Sequence, residues 1–110
     1  MKQYVVDQLR IEDYERLRDY LDKSYPSASL PGIYCMPVDP SVLDADQRSH
    51  RDCHPLIFSL ELEPDSLHCE LLVRTSQRMR CSCMRYATEA QRNWIIGLID
   101  SILEQLDIRV

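Results

Sequence analysis

Leu56-Ile57-Phe58-Ser59-Leu60-Glu61-Leu62-Glu63-Pro64-Asp65-Ser66-Leu67-His68-Cys69-Glu70-Leu71-Leu72-Val73-Arg74 alternates between apolar and polar on either side of one turn. Successive strand residues face opposite sides, so Leu56, Phe58, Leu60 and Leu62 share a face if this segment is extended. Glu63-Pro64-Asp65-Ser66 reads as a turn, and Leu67, Cys69, Leu71 and Val73 then resume the apolar set. Pairing Leu62 with Leu67 keeps both sets on one face and places Glu61 opposite His68. A slip of one residue would turn a whole apolar set toward water. A third strand follows with Met79, Cys81 and Cys83 inward. Two odd-numbered sets can face together only across a loop of odd length, which favours a loop over residues 76–78. Ile57 and Leu72 are left on the opposite face. The expected sheet is an antiparallel meander.

Outward from it, Thr88-Glu89-Ala90-Gln91 has the spacing of a capping box in front of an apolar run. Trp94, Ile95, Ile96, Leu98, Ile99, Ile102, Leu103 and Leu106 project over about 200° of a helix, where a surface helix needs only about 100°. On the N-terminal side, residues 3–7 read as a short strand. From Ile11, Tyr14, Leu17 and Leu21 form a narrow helical stripe, so that helix lies outside the core. Residues 24–32 read as a loop, and 33–38 as a strand that Pro37 pushes to a sheet edge. Asp39-Pro40 is a helix start, and Asp44-x-x-Gln47 is a second capping box. The whole is a single α+β domain over residues 1–110: an antiparallel β-meander packed with an N-terminal and a long C-terminal helix.

Composition narrows the function. The chain has 110 residues, and 45% are hydrophobic; scaling laws bury roughly two-thirds of its unfolded surface, enough for one core. Two glycines, Gly32 and Gly97, cannot build a phosphate-cradling loop. The longest apolar run, residues 94–99, is far short of a membrane span of about 20. The opening Met1-Lys2-Gln3-Tyr4 lacks the apolar run of a secretory signal, so the expected location is cytoplasmic, with no membrane partner. Net charge is −5, which opposes nucleic-acid binding even though Arg74, Arg78, Arg80, Arg85 and Arg92 cluster in sequence. Those arginines are expected to pair with Glu61, Glu63 and Glu70.

Five cysteines, an odd number, fit free thiols. Cys81 and Cys83, read as strand residues, lie about 6.6 Å apart on one side, the outer limit for a disulfide. With Cys69 they read as core packing, and Cys53, in a polar loop, as the most reactive thiol. His50, Cys53 and His54 are chemically suited to zinc, with Cys35, Cys81 or Cys83 eligible as a further ligand. Their H-x-x-C-H spacing matches no standard zinc pattern, so the expectation is no metal and no cofactor. Glu12-Asp13 and Asp44-x-Asp46 read as solvated or capping groups, and no enzyme signature is present.

The functional expectation is a non-enzymatic interaction module that pairs with a second copy of itself and binds another protein. The alternative is a metal-binding or thiol-dependent protein built on the His/Cys cluster. The wide apolar arc of the C-terminal helix carries the first reading, with Trp94, Ile96 and Leu103 nearest the contact. Sedimentation at micromolar concentration should then show a dimer, and Ile96→Glu should dissociate it with the far-ultraviolet spectrum intact. A wild-type monomer would remove that reading's main support.

Overall fold

The computed structural model describes residues 2–25, 30–75 and 81–110. In chain order the elements are β1 (Gln3–Val6), α1 (Ile11–Ser24), β2 (Ile33–Pro37), a 3-10 turn (Pro40–Val42), α2 (Ala45–Ser49), a second 3-10 turn (Arg51–Cys53), β3 (Leu56–Glu63), β4 (Ser66–Glu70), β5 (Leu72–Thr75), β6 (Arg85–Tyr86) and α3 (Glu89–Gln105). The fold is α+β, with an antiparallel sheet of six strands. β3 is its spine: β2 lies on one side (Ile33 opposite Glu61), and β4 and β5 follow one another along the other.

The central hairpin has the register the alternation requires, with Leu62 opposite Leu67 and Glu61 opposite His68. Phe58, Leu60, Leu62, Leu67, Cys69 and Val73 are all buried in one core. The second strand is not continuous. Between the pairs Leu60–Cys69 and Ile57–Arg74, two residues of β3 face four of its partner, so the strand breaks into β4 and β5 at Leu71. An even number of extra residues preserves the faces, and Val73 and Thr75 still point inward. The Leu71 N–H donates to the Lys2 carbonyl (2.9 Å) and its carbonyl accepts from the Ala87 N–H (2.9 Å). The outer neighbour of this strand is therefore two pieces laid end to end, β1 and β6.

The expected third strand is a correction. Met79 and the 76–78 loop lie outside the described residues. Cys81 and Cys83 do not sit in a strand: the Met84 N–H donates to the Cys81 carbonyl (3.1 Å) and closes a turn. Strand pairing resumes only where Tyr86 and Arg85 meet Leu72 and Val73. A C-x-C alternation cannot distinguish a strand from a tight turn, since both present the two sulfurs on one side.

Both capping boxes form. Asp44 accepts from Gln47 N (2.8 Å) and Thr88 accepts from Gln91 N (3.2 Å). Leu17 and Leu21 of α1 meet Ile99, Ile102 and Leu103 of α3 above Met36, Leu60 and Leu67. The excess arc of α3 is partly taken up within the chain: Trp94 stacks over Phe58 at 6.3 Å, and the following segment folds back to bury Ile108. Leu103 is 4% exposed and therefore core, while Trp94 and Ile96 are half-buried. Ile57, expected on the outer face, is only 7% exposed between Pro37 and Arg74.

Asp13, one of the acids expected to be solvated or capping, is buried instead. Asp13 is 1% exposed and accepts hydrogen bonds from Arg10 (3.1 Å) and Arg16 (2.6 Å). Arg16 also donates to the Leu106 carbonyl (3.0 Å), which ties α1 to the end of α3. The Arg10 hydrogen bond, opposed by desolvation and helped by Arg16, holds the Asp13 carboxyl below the ordinary carboxylate range. A carboxyl depressed in the folded state contributes stability above its unfolded pKa and loses it as pH falls through the folded one. Denaturant midpoints should therefore fall in acid, below about pH 4. Asp13→Asn should already be weakened at pH 7 and show a flatter acid limb. An unchanged acid limb in that variant would remove Asp13 from the account.

Candidate metal centre

The segment between β2 and β3 makes two tight helical pieces whose ends bring side chains to one point. The Asp44 cap starts α2, α2 stops at His50, and the next turn places Cys53 one turn further on. Across from it, the Cys81–Met84 turn presents Cys81 and Cys83. The ligand-type atoms of His50, Cys53, Cys81 and Cys83 all lie within 4.8 Å of one another. Cys53 and Cys83 are buried, whereas His50 and Cys81 are partly open to solvent.

The imidazole is oriented from both sides. His50 Nδ1 is 3.0 Å from Cys81 Sγ, and Nε2 is 3.2 Å from Asp46 Oδ1. Arg85 holds that carboxylate, reaching Asp46 at 2.8 Å and Asp44 at 3.2 Å. The buried Gln47 amide donates to the Cys83 carbonyl (3.1 Å) and accepts from Gln91 (2.7 Å). The two halves of the cluster are thus fastened by groups that are not themselves ligands.

Electrostatics separate the thiols. Cys81 is lowered to about 6, first by the Cys83 backbone N–H directed at its sulfur and then by the Cys83, Cys53 and His50 side chains. Cys83 is raised to about 12 by burial and by its sulfur neighbours. Contact with Cys81, more than the Asp46 carboxylate, holds His50 toward its charged form. Cys69, expected in the core, is fully buried and raised to about 12 by desolvation.

Of the residues that the sequence offers for this cluster, the structure brings together His50, Cys53, Cys81 and Cys83, and leaves His54 and Cys35 out. His54 turns away, its Nε2 2.7 Å from the Gln47 carbonyl. Cys35 sits on β2, outside the group. Cys81 and Cys83, expected in the core but also eligible as a further ligand, supply the other half. The usable signal was two short Cys-bearing pairs, H-x-x-C and C-x-C, each in a turn. Of the arginines, Arg74 pairs with Glu70 as expected, while Arg85 pairs with Asp44 and Asp46 instead of a strand glutamate; Arg78 and Arg80 lie outside the described residues.

Compared with known proteins, the chain matches no family model, no curated protein and no solved structure. The residues alone carry the functional argument.

Burial reverses the expected order of thiol reactivity, since Cys53 is 4% exposed and Cys81 is partly open to solvent. In chelator, iodoacetamide should alkylate Cys81 first, with a rate midpoint near pH 6. Peptide mapping that finds Cys53 or Cys69 modified first would contradict this ordering.

Proposed function

We propose that this chain is a non-enzymatic zinc-binding domain in which His50, Cys53, Cys81 and Cys83 hold one ion. The carrying observation is the convergence of three sulfurs and one imidazole nitrogen within 4.8 Å. Thiolate and imidazole are the donors a borderline-soft, tetrahedral ion prefers. At a Zn–S distance of about 2.3 Å, tetrahedral ligand atoms are about 3.8 Å apart. The cluster would need to close by about 1 Å or less. Nδ1 of His50 would face the ion, and Nε2–H would donate to Asp46, the carboxylate–imidazole pairing that fixes ring orientation at many metal sites. Four protein ligands leave no open position, which supports a structural ion over a catalytic one.

A second reading, thiol chemistry, rests on one observation: Cys81, His50 and Asp46 form a relay of hydrogen-bond contacts at 3.0 and 3.2 Å. A thiolate paired with an oriented imidazole is the arrangement of an activated nucleophile. The wider reading as a self-pairing interaction module keeps Trp94 and Ile96 as its surface. It gains support from Gly97, where an added Cβ would meet nothing within 4 Å although glycine weakens a helix interior.

Metal analysis separates the first two readings. Protein produced with zinc in the medium should carry one equivalent, and cobalt substitution should give thiolate charge-transfer bands. Structural zinc sites are worth on the order of 10 kcal/mol. Even about 3 kcal/mol lost to a chelator should lower the thermal midpoint by about 10 °C or more. Cys83→Ser should abolish the bands. A protein that takes up no metal and keeps its midpoint in chelator would sink the zinc reading and leave the thiol one.

A further inference from the structure

β1 is an edge strand whose ladder phase is fixed by the Leu71–Lys2 hydrogen bond. In an antiparallel pair the bonded residues alternate, so Lys2, Tyr4 and Val6 bond inward to the β4 side. The backbone N–H and C=O groups of Gln3 and Val5 then point outward, and no described residue bonds to them. β6 extends the same line. Among the described residues, five large hydrophobic side chains are exposed, and three of them lie here: Val5 (42%), Tyr86 (48%) and Val110 (71%).

The side chain of Tyr4 faces α3 and donates to Asp100 at 2.5 Å. Below it, between the β1 edge and the end of α3, runs an open crevice of about 630 Å³ lined in part by Asp100, Glu104, Asp107 and Arg109. A second crevice of about 400 Å³ continues it along β1 past Asp7. The carboxylates outnumber the one arginine, whose side chain is 92% exposed and only 4.0 Å from Asp107.

We infer that the β1 edge receives an extended, basic segment of a partner protein as an added strand. Backbone groups of Gln3 and Val5 would pair with it, and lysine or arginine at alternate positions would enter the crevice toward Asp100, Glu104 and Asp107. Strand addition of this kind takes affinity from main-chain hydrogen bonds and specificity from pockets for every second side chain. A second copy of this chain fits the edge poorly: pairing β1 with β1 would bring two sets of these acids together on molecules that each carry −5.

The test uses a labelled, capped hexapeptide of alternating lysine and valine, with an alternating glutamate and valine peptide as control. The lysine peptide should bind the protein as isolated, weaken as salt is raised, and slow hydrogen exchange at the Gln3 and Val5 amides. The double variant Glu104→Gln, Asp107→Asn should lose about five- to tenfold in affinity, as two rim ion pairs would. Both positions are exposed, and asparagine suits the left-handed backbone of residue 107 (φ +57°), so the fold should survive. Equal binding of the glutamate peptide, no binding at millimolar concentration, unchanged exchange at Gln3 and Val5, or amides already protected in a β1-paired dimer would each overturn the inference.

Discussion

Two glutamine side chains, fully buried and bonded to each other at 2.7 Å, hold the segments that β pairing does not reach. Each also completes a capping box, since Gln47 Oε1 accepts from Asp44 N and Gln91 Oε1 accepts from Thr88 N. The remaining donors go to backbone: Gln47 to the Cys83 carbonyl and Gln91 to the Val42 carbonyl. One amide contact therefore joins α2, the 3-10 turn before it, the Cys81–Met84 turn and the start of α3. Amides buried without partners would each cost on the order of 1–3 kcal/mol, so the geometry of all four segments is set jointly.

The His/Cys cluster inherits its shape from this arrangement. His50 and Cys53 follow directly from where α2 begins, and that is the Asp44 cap. Cys83 is pinned by Gln47, and Arg85 binds the Asp44 cap and Asp46 of α2 from the strand that follows the turn. The halves of the cluster are 28 residues apart in sequence, so closing them costs loop entropy that the cluster's own contacts would otherwise have to offset. The glutamines and Arg85 supply part of that offset.

Much of the fold was legible because its signals are local or periodic. The Leu62–Leu67 register follows from alternation on both sides of one turn, and both capping boxes follow from four-residue spacings. The break at Leu71 was not legible, because an insertion of two residues leaves the inward set Leu67, Cys69, Val73 and Thr75 in phase. Asp13 was missed for a different reason. Its neighbours on the stripe, Leu17 and Leu21, mark the buried side, but only the positions of Arg10 and Arg16 make an acid tolerable there. The candidate site was half legible: His50 and Cys53 share one short segment, whereas Cys81 and Cys83 reach them only through a turn that alternation disguises as a strand.

Charge placement follows from the same contacts. Arg10 and Arg16 are taken by Asp13, Arg74 by Glu70, and Arg85 by Asp44 and Asp46. These cations are neutralised within the molecule, at α1, at the strand break and beside the cysteines. At the end of α3, Asp100 accepts from the Tyr4 hydroxyl, Arg16 reaches the Leu106 carbonyl, and Asp107 lies 4.0 Å from the exposed Arg109 and within the field of Arg10. Asp100, Glu104 and Asp107 line the crevice beside β1, one of the edges at which the sheet still has backbone groups to offer.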